Sequence, residues 1–383
     1  MDFYTNVVQW GNFLLVRGVD NNQRVNFRLK YKPTLFVPVM KQTDWKTLDG
    51  KSVTPYQFDC IKDAKDFLLK YESQPHLVHG LNRFAYTYIS DTFPQKVNWN
   101  IDKILIMTID IEVQCENGFP NPESAIEPLL SITVKNQQSK KIIVWGIQPY
   151  KNTREDVTYI RCPNEHDLIM EFMSFWTKNY PDVITGWNTD FFDIPYLANR
   201  IKQVCGEDKM RELSPWKNVS SKQIYSMGRN HLMYDIMGVS QYDYLQLYQK
   251  FTYTRQESYK LDYIASVELG EKKDENPYET FREWYENDFQ SFIDYNIQDV
   301  EIVDKLEDKM GLIDLALTMA YEGKVNYSDV FGQVKYWDIL IYNFLRKRKI
   351  VIPQKKSYHK DEQYEGAYVK EPITGLHKLS LIH

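Results

Sequence analysis

Two carboxylates stand one residue apart in an otherwise apolar stretch, Asp110 and Glu112 in the sequence TIDIEV at 108–113. Because side chains alternate along a strand, both acids would lie on one face and their apolar neighbours on the other. Two such acids repel each other and lose hydration unless a cation lies between them. Carboxylate oxygens suit Mg²⁺ or Mn²⁺. The pattern indicates a divalent-metal site, and the alternative is a strand with one solvent-exposed face.

A third acid, Asp193, lies in the sequence GWNTDFFDIP, after the apolar run 182–187 and shortly before Pro195. Proline is tolerated in the first turn of a helix, so we expect a strand that leads directly into a helix here. A junction of this kind is a common place for an acidic ligand. Aspartate is also a preferred N-cap, so a purely capping role for Asp193 is the alternative.

A fourth acid, Asp299, follows Tyr295 by four residues in the sequence YNIQDV. Residues four apart on a helix share a face, and the apolar positions around them predict an adjoining buried stripe. A tyrosine hydroxyl beside a metal-bound carboxylate can orient a water molecule. The alternative is a surface tyrosine near a solvated acid.

Three segments of the chain form the framework around these acids. The first hundred residues are β-rich, with predicted strands and one helix at 13–16, 25–29, 34–39 and 62–72. The next part predicts, in order, a strand, a hairpin, a helix, a strand and a helix at 103–113, 130–146, 165–179, 182–187 and 194–204. Residues 287–350 are mainly helical, with a break at 323–329. The sequence therefore predicts an α/β fold on a mixed sheet with helices, beside a β-rich α+β N-terminal domain.

Composition limits the class of protein. The chain has 383 residues, which predicts two or three domains, and its 43% hydrophobic and 26% charged residues exclude disorder as the main state. Its apolar runs are too short to span a bilayer, and we expect no secretion signal. The four cysteines form no CxxC pair, which favours a reducing cytosol and argues against zinc. With a net charge of −5, nucleic-acid binding would need local basic patches.

The order of the acid pair, the junction acid and the Tyr-x-x-x-Asp helix resembles the ribonuclease-H-like 3′→5′ exonucleases, and more narrowly the proofreading domain of family B DNA polymerases. The segments DIEVQCENGFP, TGWNTDFFDIPYLANRI, KFTYTRQESYKLDYIA and DYNIQDVEIVDKLE are similar to polymerases of large tailed bacteriophages, including cyanophages. The resemblance covers nearly the whole chain. It implies an N-terminal domain at 1–103, an exonuclease domain at 104–310, a return segment at 311–370 that completes the N-terminal domain, and at 371–383 a truncated lead-in to an absent palm.

The resemblance also implies two divalent metal ions, Mg²⁺ or Mn²⁺, about 3.5–4 Å apart. Asp110, Glu112 and Asp299 would hold one ion, and Asp110 with Asp193 the other. Glu112 and Tyr295 would orient the attacking water.

DNA contacts are implied at further positions. Phe119 matches a residue that wedges against the frayed 3′-terminal base, although a hydrophobic loop anchor is the alternative. Asn188 would contact the primer strand, and Lys272 or Lys273 would lie near the phosphate. The segment 223–238 fits a hairpin that holds separated strands, unless it is an ordinary surface hairpin.

A basic run near the C-terminus and the nearby sequence YEGAYV, which resembles a template-contacting Tyr-x-Gly-Gly/Ala element, favour DNA contact over a merely solvated face. These DNA-contact positions are Arg346, Lys347, Arg348, Lys349, Tyr364 and Gly366. We expect the apolar or aromatic groups at 350–352 and 364–369 to be exposed, where the family packs on the palm and thumb.

The implied function is the N-terminal portion of a phage replicative DNA polymerase, carrying a proofreading exonuclease that degrades single-stranded or frayed DNA. Without palm, fingers and thumb, no nucleotide addition is expected from this chain alone. Implied partners are single-stranded DNA, primer–template DNA, a separate palm, fingers and thumb subunit, and replisome proteins such as a sliding clamp bound through the missing part. No membrane partner is expected, and the implied location is the cytoplasm of the infected bacterial host.

Two other functions compete with this one. The first is a non-catalytic DNA-binding scaffold half of a split polymerase, which acts by docking with a separate palm-containing subunit. The second is a stand-alone RNA-processing nuclease of the same fold. The β-rich first hundred residues and the YEGAYV element count against the second alternative.

Overall fold

The computed structural model describes residues 1–115, 118–226, 228–271, 276–354 and 375. The strands are β1 (Phe3–Trp10), β2 (Phe13–Asp20), β3 (Gln23–Leu29), β4 (Thr34–Pro38), β5 (Trp45–Thr47), β6 (Ser52–Gln57), β7 (Ile106–Val113), β8 (Leu129–Asn136), β9 (Ile142–Gly146), β10 (Val157–Arg161), β11 (Val183–Gly186), β12 (Val219–Ser226), β13 (Arg229–Ile236), β14 (Ser240–Asp243) and β15 (Ile350–Val351). The α-helices are α1 (Ile61–Lys70), α2 (Phe84–Thr92), α3 (Glu165–Lys178), α4 (Asp193–Cys205), α5 (Glu207–Arg211), α6 (Tyr244–Phe251), α7 (Leu261–Leu269), α8 (Phe281–Asn287), α9 (Phe289–Met310), α10 (Leu312–Gly323) and α11 (Gln333–Arg346). Short 3₁₀ helices span Pro75–Leu77, Ile101–Lys103 and Tyr327–Phe331.

The N-terminal hundred residues form two small sheets. Strands β1, β2 and β3 make an antiparallel meander, and β4, β5 and β6 join β15 in a second sheet in the order β15-β5-β6-β4. The strands and the helix predicted in this region are present as β2, β3, β4 and α1. β15 comes from the far end of the described chain and pairs in parallel with β5. The later helical segment therefore returns to the N-terminal sheets.

A six-stranded mixed sheet has the strand order β10-β9-β8-β7-β11-β14, and its strand β7 carries Asp110 and Glu112. β8 runs antiparallel to both of its neighbours, whereas the other pairs are parallel. This confirms the predicted ribonuclease-H-like α/β architecture beside a β-rich N-terminal region. The predicted hairpin is β8–β9, and the predicted strand–helix junction is β11–α4.

Helices cover both faces of the mixed sheet. Ile109, Ile111 and Val113 of β7 are buried with apolar residues of α3 and α4. On the other face, α9 packs against β7, β8 and β9. Its side chains Ile293 and Ile297 are buried among residues of β8 and β9. The even-numbered face of β7, which bears the acids, is therefore the face that α9 covers.

Buried polar contacts fix the N-terminal region against the mixed sheet. Asp182, just before β11, accepts hydrogen bonds from the Thr5 hydroxyl and the Leu105 amide, each at 2.9 Å. Arg17 of β2 lies 3.2 Å from the same carboxylate and also donates to the carbonyl of Pro181. Arg17 and Asp182 are both buried. These contacts hold the start of β11 in place relative to β1 and β2.

The expectation that residues 350–352 are exposed is wrong. β15 pairs with β5, Val351 is buried, and Ile352 packs against the hydrophobic core that the N-terminal strands share with α9 and α10. One exposed apolar stripe lies on α11. The other run expected to be exposed, 364–369, lies outside the described residues. In the described part of the chain, no helix is both long and apolar enough to cross a bilayer.

Candidate metal centre and nucleic-acid interface

Asp110 and Glu112 lie on β7 as predicted, on the same face and both half-buried. In the antiparallel register Asp110 is opposite Thr133 of β8 and Glu112 is opposite Ser131. Directly opposite residues of two antiparallel strands point to the same face, so each acid has a hydroxyl-bearing neighbour. The apolar residues between the acids are buried on the other face. The alternation predicted from the sequence is confirmed.

Asp299 of α9 completes a cluster of three carboxylates. One oxygen each from Asp110, Glu112 and Asp299 lies within 4.8 Å of the other two. Asp299 is only 8% exposed. Three carboxylates this close repel one another unless a cation offsets their charge, and oxygen donors are those that Mg²⁺ and Mn²⁺ prefer. The donor set therefore fits a hard divalent cation.

Asp193 lies outside that cluster of three, at the N-terminus of α4. β11 pairs with β7 only as far as Thr108, so the next part of β7 has an open edge toward α4. The Ile111 amide donates to Asp193 Oδ1 at 3.1 Å across this edge. Burial, followed by the charges of Asp243 and Asp299, raises the pKa of Asp193 to about 8, although backbone amides oppose the shift. The buried Asp193 carboxyl thus lies next to Ile111, the residue of β7 that separates Asp110 from Glu112.

Tyr295 and Asp299 lie one turn apart on α9, as predicted. The Tyr295 ring is half-buried, with its centroid 4.9 Å from that of Trp284 and 6.1 Å from that of Phe281. Both partners belong to α8. These aromatic contacts restrict the ring, so α8 helps to define the direction in which the Tyr295 hydroxyl points.

Asn188 follows β11 in a conformation that few residues adopt. Its φ is +64°, in the left-handed region where asparagine is tolerated better than most side chains. Its backbone amide donates to Asp243 Oδ1 at 3.0 Å. At Gly186, two residues earlier, a Cβ atom would lie 2.4 Å from the Ile109 carbonyl oxygen and 2.5 Å from Thr189 Cγ2. Close packing against β7 thus fixes where this loop begins.

Asp243 is a site residue that the sequence analysis missed. It is buried at the N-cap of α6, and its carboxylate accepts the amides of Leu245, Asn188 and Asp190. Burial, followed by the charge of Asp243, raises the pKa of neighbouring Asp190 to about 8. Its position directly before a helix was the available signal, since aspartate is a preferred N-cap. The hydrogen bonds from the Asn188 and Asp190 amides to Asp243 could not be predicted from the sequence around Asp243.

Phe119 lies on the loop after β7 and is 84% exposed. Its ring centroid is 5.1 Å from that of Phe192, which immediately precedes α4. An exposed aromatic ring supported from beneath by a second ring offers a surface on which a base can stack. This arrangement is compatible with the predicted wedge role, which stays a prediction.

The predicted hairpin is present as β12 and β13, which pair from Val219↔Ile236 to Ser226↔Arg229. It begins four residues earlier than the sequence analysis placed it. His231 of β13 stacks on Phe191, the residue beside Phe192, with ring centroids 4.5 Å apart. The hairpin therefore contacts the loop that precedes α4.

The basic run at the end of α11 is only partly available for DNA. Arg346 pairs with Asp91, and Lys349 pairs with Asp44 at 2.6 Å. The Arg348 guanidinium lies 3.6 Å from the centroid of the Phe344 ring. Lys272, Lys273, Tyr364, Gly366 and, apart from residue 375, the segment 371–383 lie outside the described residues, so these predictions have no structural outcome.

Comparison with known proteins agrees with this arrangement. Residues 82–264 match the family model described as DNA polymerase family B, exonuclease domain. Over 98% of its length the chain is 34% identical to the DNA-directed DNA polymerase of Escherichia phage RB69, and over 97% it is 33% identical to that of Enterobacteria phage T4. Residues 82–264 therefore form a family B DNA polymerase exonuclease domain. The family model includes Asp110, Glu112 and Asp193, whereas Asp299 lies in the part aligned only with the full-length relatives.

The chain spans 45% of the length of the RB69 polymerase and 44% of that of the T4 polymerase. A more distant relative is the DNA polymerase delta catalytic subunit of Candida albicans, which is 26% identical over 75% of this chain and 29% of that subunit. The similarity therefore extends beyond phage polymerases, although at lower identity.

Proposed function

We propose that this chain is a metal-dependent 3′→5′ exonuclease that removes the terminal nucleotide of single-stranded or frayed DNA. The observation that carries the proposal is the cluster formed by Asp110, Glu112 and Asp299 on β7 and α9. Asp193 lies beside the same strand, held by the Ile111 amide. Four acids brought together from three elements of a family B exonuclease fold fit a site for two divalent cations, Mg²⁺ or Mn²⁺.

Asp110, Glu112 and Asp299 would hold one ion, and Asp110 with Asp193 the other. Bound divalent ions would supply charge neutralisation at the phosphate and activation of water for phosphodiester hydrolysis. The chain's own groups would orient the reactants. The Glu112 carboxylate and the Tyr295 hydroxyl would hold the attacking water by accepting and donating hydrogen bonds.

The 3′ end would approach over the loop that precedes α4. Phe119, exposed and supported by Phe192, would stack against the terminal base. Asn188, whose backbone Asp243 fixes, would contact the primer strand. The hairpin β12–β13, which touches Phe191 through His231, would keep the strands apart. Stacking on Phe119 and strand separation by the hairpin would favour a frayed end over a paired one.

The test is degradation of 5′-end-labelled single-stranded DNA by the purified chain in Mg²⁺. We expect stepwise shortening from the 3′ end that EDTA abolishes, and slower shortening of a fully paired duplex. A 3′-phosphorothioate substrate serves as the matched control, since a true 3′ exonuclease slows at the modified linkage. Shortening from the 5′ end, or none in any divalent metal, would contradict the proposal.

We place this activity in the N-terminal portion of a phage replicative DNA polymerase, acting on primer–template DNA in the cytoplasm of the infected bacterial host. The proposed units are an N-terminal domain at 1–103, the exonuclease domain at 104–310 and the return segment at 311–370. The sequence identity of 34% and 33% to two phage polymerases, over nearly the whole chain, supports this placement. A sliding clamp would bind through other parts of such a polymerase.

A second candidate function, docking to a palm-containing polypeptide, is favoured by the exposed face of α11. Val334, Trp337, Ile341 and Phe344 are 72%, 57%, 49% and 54% exposed, at helical spacing. An exposed apolar stripe of this kind often marks an interface. The double substitution Trp337→Ser with Phe344→Ser should abolish co-elution with a palm-containing polypeptide and leave nuclease activity unchanged. Co-elution that persists would contradict docking through α11.

A further inference from the structure

Asn296, the residue after Tyr295, connects α9 to the acid-bearing strand. Its side-chain amide Nδ2 donates to Asp110 Oδ2 at 2.5 Å. Its carbonyl Oδ1 accepts from the Ser131 hydroxyl at 2.9 Å and from the Thr133 hydroxyl. Asn296 is fully buried. All the polar atoms of this side chain therefore face strands β7 and β8.

The strand register explains why these contacts converge. Thr133 is directly opposite Asp110, and Ser131 is directly opposite Glu112. The two hydroxyls consequently lie on the face that carries the acids and that α9 covers. Asn296 of α9 thus lies over two directly opposite pairs of side chains on the two strands. These pairs are Asp110 with Thr133 and Glu112 with Ser131.

The two hydroxyls also determine which way the amide points. A hydroxyl can donate to the carbonyl oxygen of an amide, and an ionised carboxylate can only accept. With Ser131 and Thr133 donating to Oδ1, the Nδ2 group is directed at Asp110. Asn296 thus offers a neutral donor to one carboxylate oxygen and adds no charge to a site that already contains several acids.

We infer that Asn296 is a positioning residue for the metal site, which fixes the rotation of the Asp110 carboxylate through the Ser131 and Thr133 hydroxyls. The inference rests on the proposed function, in which Asp110 is the ligand shared by both ions. A carboxylate held at one oxygen keeps a fixed direction for its other electron pairs, so it loses less conformational freedom when an ion binds. Groups that orient metal ligands in this way typically contribute about 10–100-fold to metal affinity.

A purely structural asparagine would affect stability without affecting the metal. The experiment therefore measures the dissociation constant for Mn²⁺ by electron paramagnetic resonance, together with the melting temperature, in the full chain without DNA. Asn296→Leu keeps the branched shape and the number of side-chain heavy atoms, and it removes both the donor and the acceptor. Asn343→Leu is the control, because Asn343 also accepts a serine hydroxyl, that of Ser90 at 2.6 Å, but lies on α11.

We expect Asn296→Leu to weaken Mn²⁺ binding about tenfold or more. Asn343→Leu should lower the melting temperature and leave Mn²⁺ binding unchanged. Thr133→Val provides a milder test if Asn296→Leu does not fold, since it removes one hydroxyl that directs the amide and leaves Asn296 in place. It should weaken Mn²⁺ binding in the same direction by a smaller factor.

Wild-type Mn²⁺ affinity in a folded Asn296→Leu variant, or in Thr133→Val when Asn296→Leu does not fold, would overturn the inference while the proposed nuclease stands. A wild-type chain that binds Mn²⁺ but degrades no DNA would overturn the proposed function instead. In that case weaker Mn²⁺ binding by Asn296→Leu would still support the positioning role. A wild-type chain that binds no Mn²⁺ would overturn both.

Discussion

The Asp193 carboxylate accepts a hydrogen bond from the backbone amide of Ile111, the residue that separates Asp110 from Glu112 on β7. The two partners are 82 positions apart in the sequence, and the contact closes the gap left where β11 stops pairing with β7. The Asp193 carboxylate therefore takes the place of a strand partner at this edge of β7. A backbone amide that would otherwise be buried without an acceptor holds Asp193 next to the proposed metal ligands.

Asp110→Ala should reduce degradation of single-stranded DNA to background, since Asp110 is the acid proposed to serve both ions. EDTA should have the same effect on the wild type. The fold should survive, because removing one of several clustered carboxylates relieves repulsion. Thermal unfolding and end-labelled DNA assays measure the two effects. Asp294→Ala, at an exposed position on α9, is the control and should remain active. Wild-type degradation by Asp110→Ala would show that the acids have been assigned wrongly.

Tyr295→Phe should slow hydrolysis by about 100-fold, the low end for groups that act on protons or water, and should leave Mn²⁺ affinity intact. The phenylalanine ring keeps the contact with Trp284 and loses only the hydroxyl. Asp299→Asn should instead weaken Mn²⁺ binding. A single-turnover rate and a Mn²⁺ titration separate the two roles. Equal loss of Mn²⁺ binding in both variants would contradict that separation.

Local periodicity was sufficient to predict the acid face of β7 and the Tyr295–Asp299 face of α9. In both cases one element's own repeat decides which side chains share a face. Asn296 could not be recognised in this way, because its role depends on the register of β8 against β7. The role of Asn296 can be recognised only when the strand register has placed Ser131 and Thr133 opposite the acids.

The error at residues 350–352 has the same physical origin. An apolar β-branched run can be an exposed patch or a buried strand, and its own sequence does not say which. Pairing with β5, about 300 residues earlier in the chain, decides the outcome. Such non-local pairing leaves no periodic signal, whereas the strand–helix junction at Asp193 was predictable from a proline and an apolar run.

Gly186→Ala should destabilise the protein by about 1–3 kcal/mol, the usual range for overpacking, and should reduce nuclease activity. The added methyl group would lie 2.4 Å from the Ile109 carbonyl oxygen, directly before Asp110. Urea unfolding measures the loss. Gly332→Ala is the matched control, because its nearest neighbour would be at an ordinary 3.6 Å. Equal stability of the two variants would indicate that β11 can shift away from β7 without penalty.

Asp190→Asn should flatten the pH dependence of stability between about pH 4 and 8, the range between the unfolded-state and folded-state pKa values of Asp190. Burial, and to a smaller extent the negative charge of Asp243, raises the folded-state pKa of Asp190 to about 8. The folded state then binds a proton that the unfolded chain releases near pH 4, so wild-type stability falls as pH rises toward 8. One such group changes stability by at most about 1.4 kcal/mol per pH unit.

The measurement for Asp190→Asn is the free energy of unfolding at several pH values. Asp235→Asn is the control, since Asp235 is exposed on β13. It should follow the wild-type curve. A slope that is unchanged in Asp190→Asn would mean that Asp190 is ionised in the folded protein despite its burial.

Phe119→Ala should weaken binding of single-stranded DNA by about fivefold to 100-fold, because stacking of one base on an aromatic side chain contributes about 1–3 kcal/mol. The ring is 84% exposed and rests on Phe192, so its removal leaves no cavity and the melting temperature should stay near that of the wild type. Phe119→Trp should retain binding, because it keeps a stacking surface. Fluorescence anisotropy with a labelled oligonucleotide in Ca²⁺, which should slow cleavage, measures the affinity. Ile126→Ala, at a 70% exposed position before β8, controls for general loss of apolar surface. If Phe119→Ala and Ile126→Ala bind DNA equally well, Phe119 only anchors its loop.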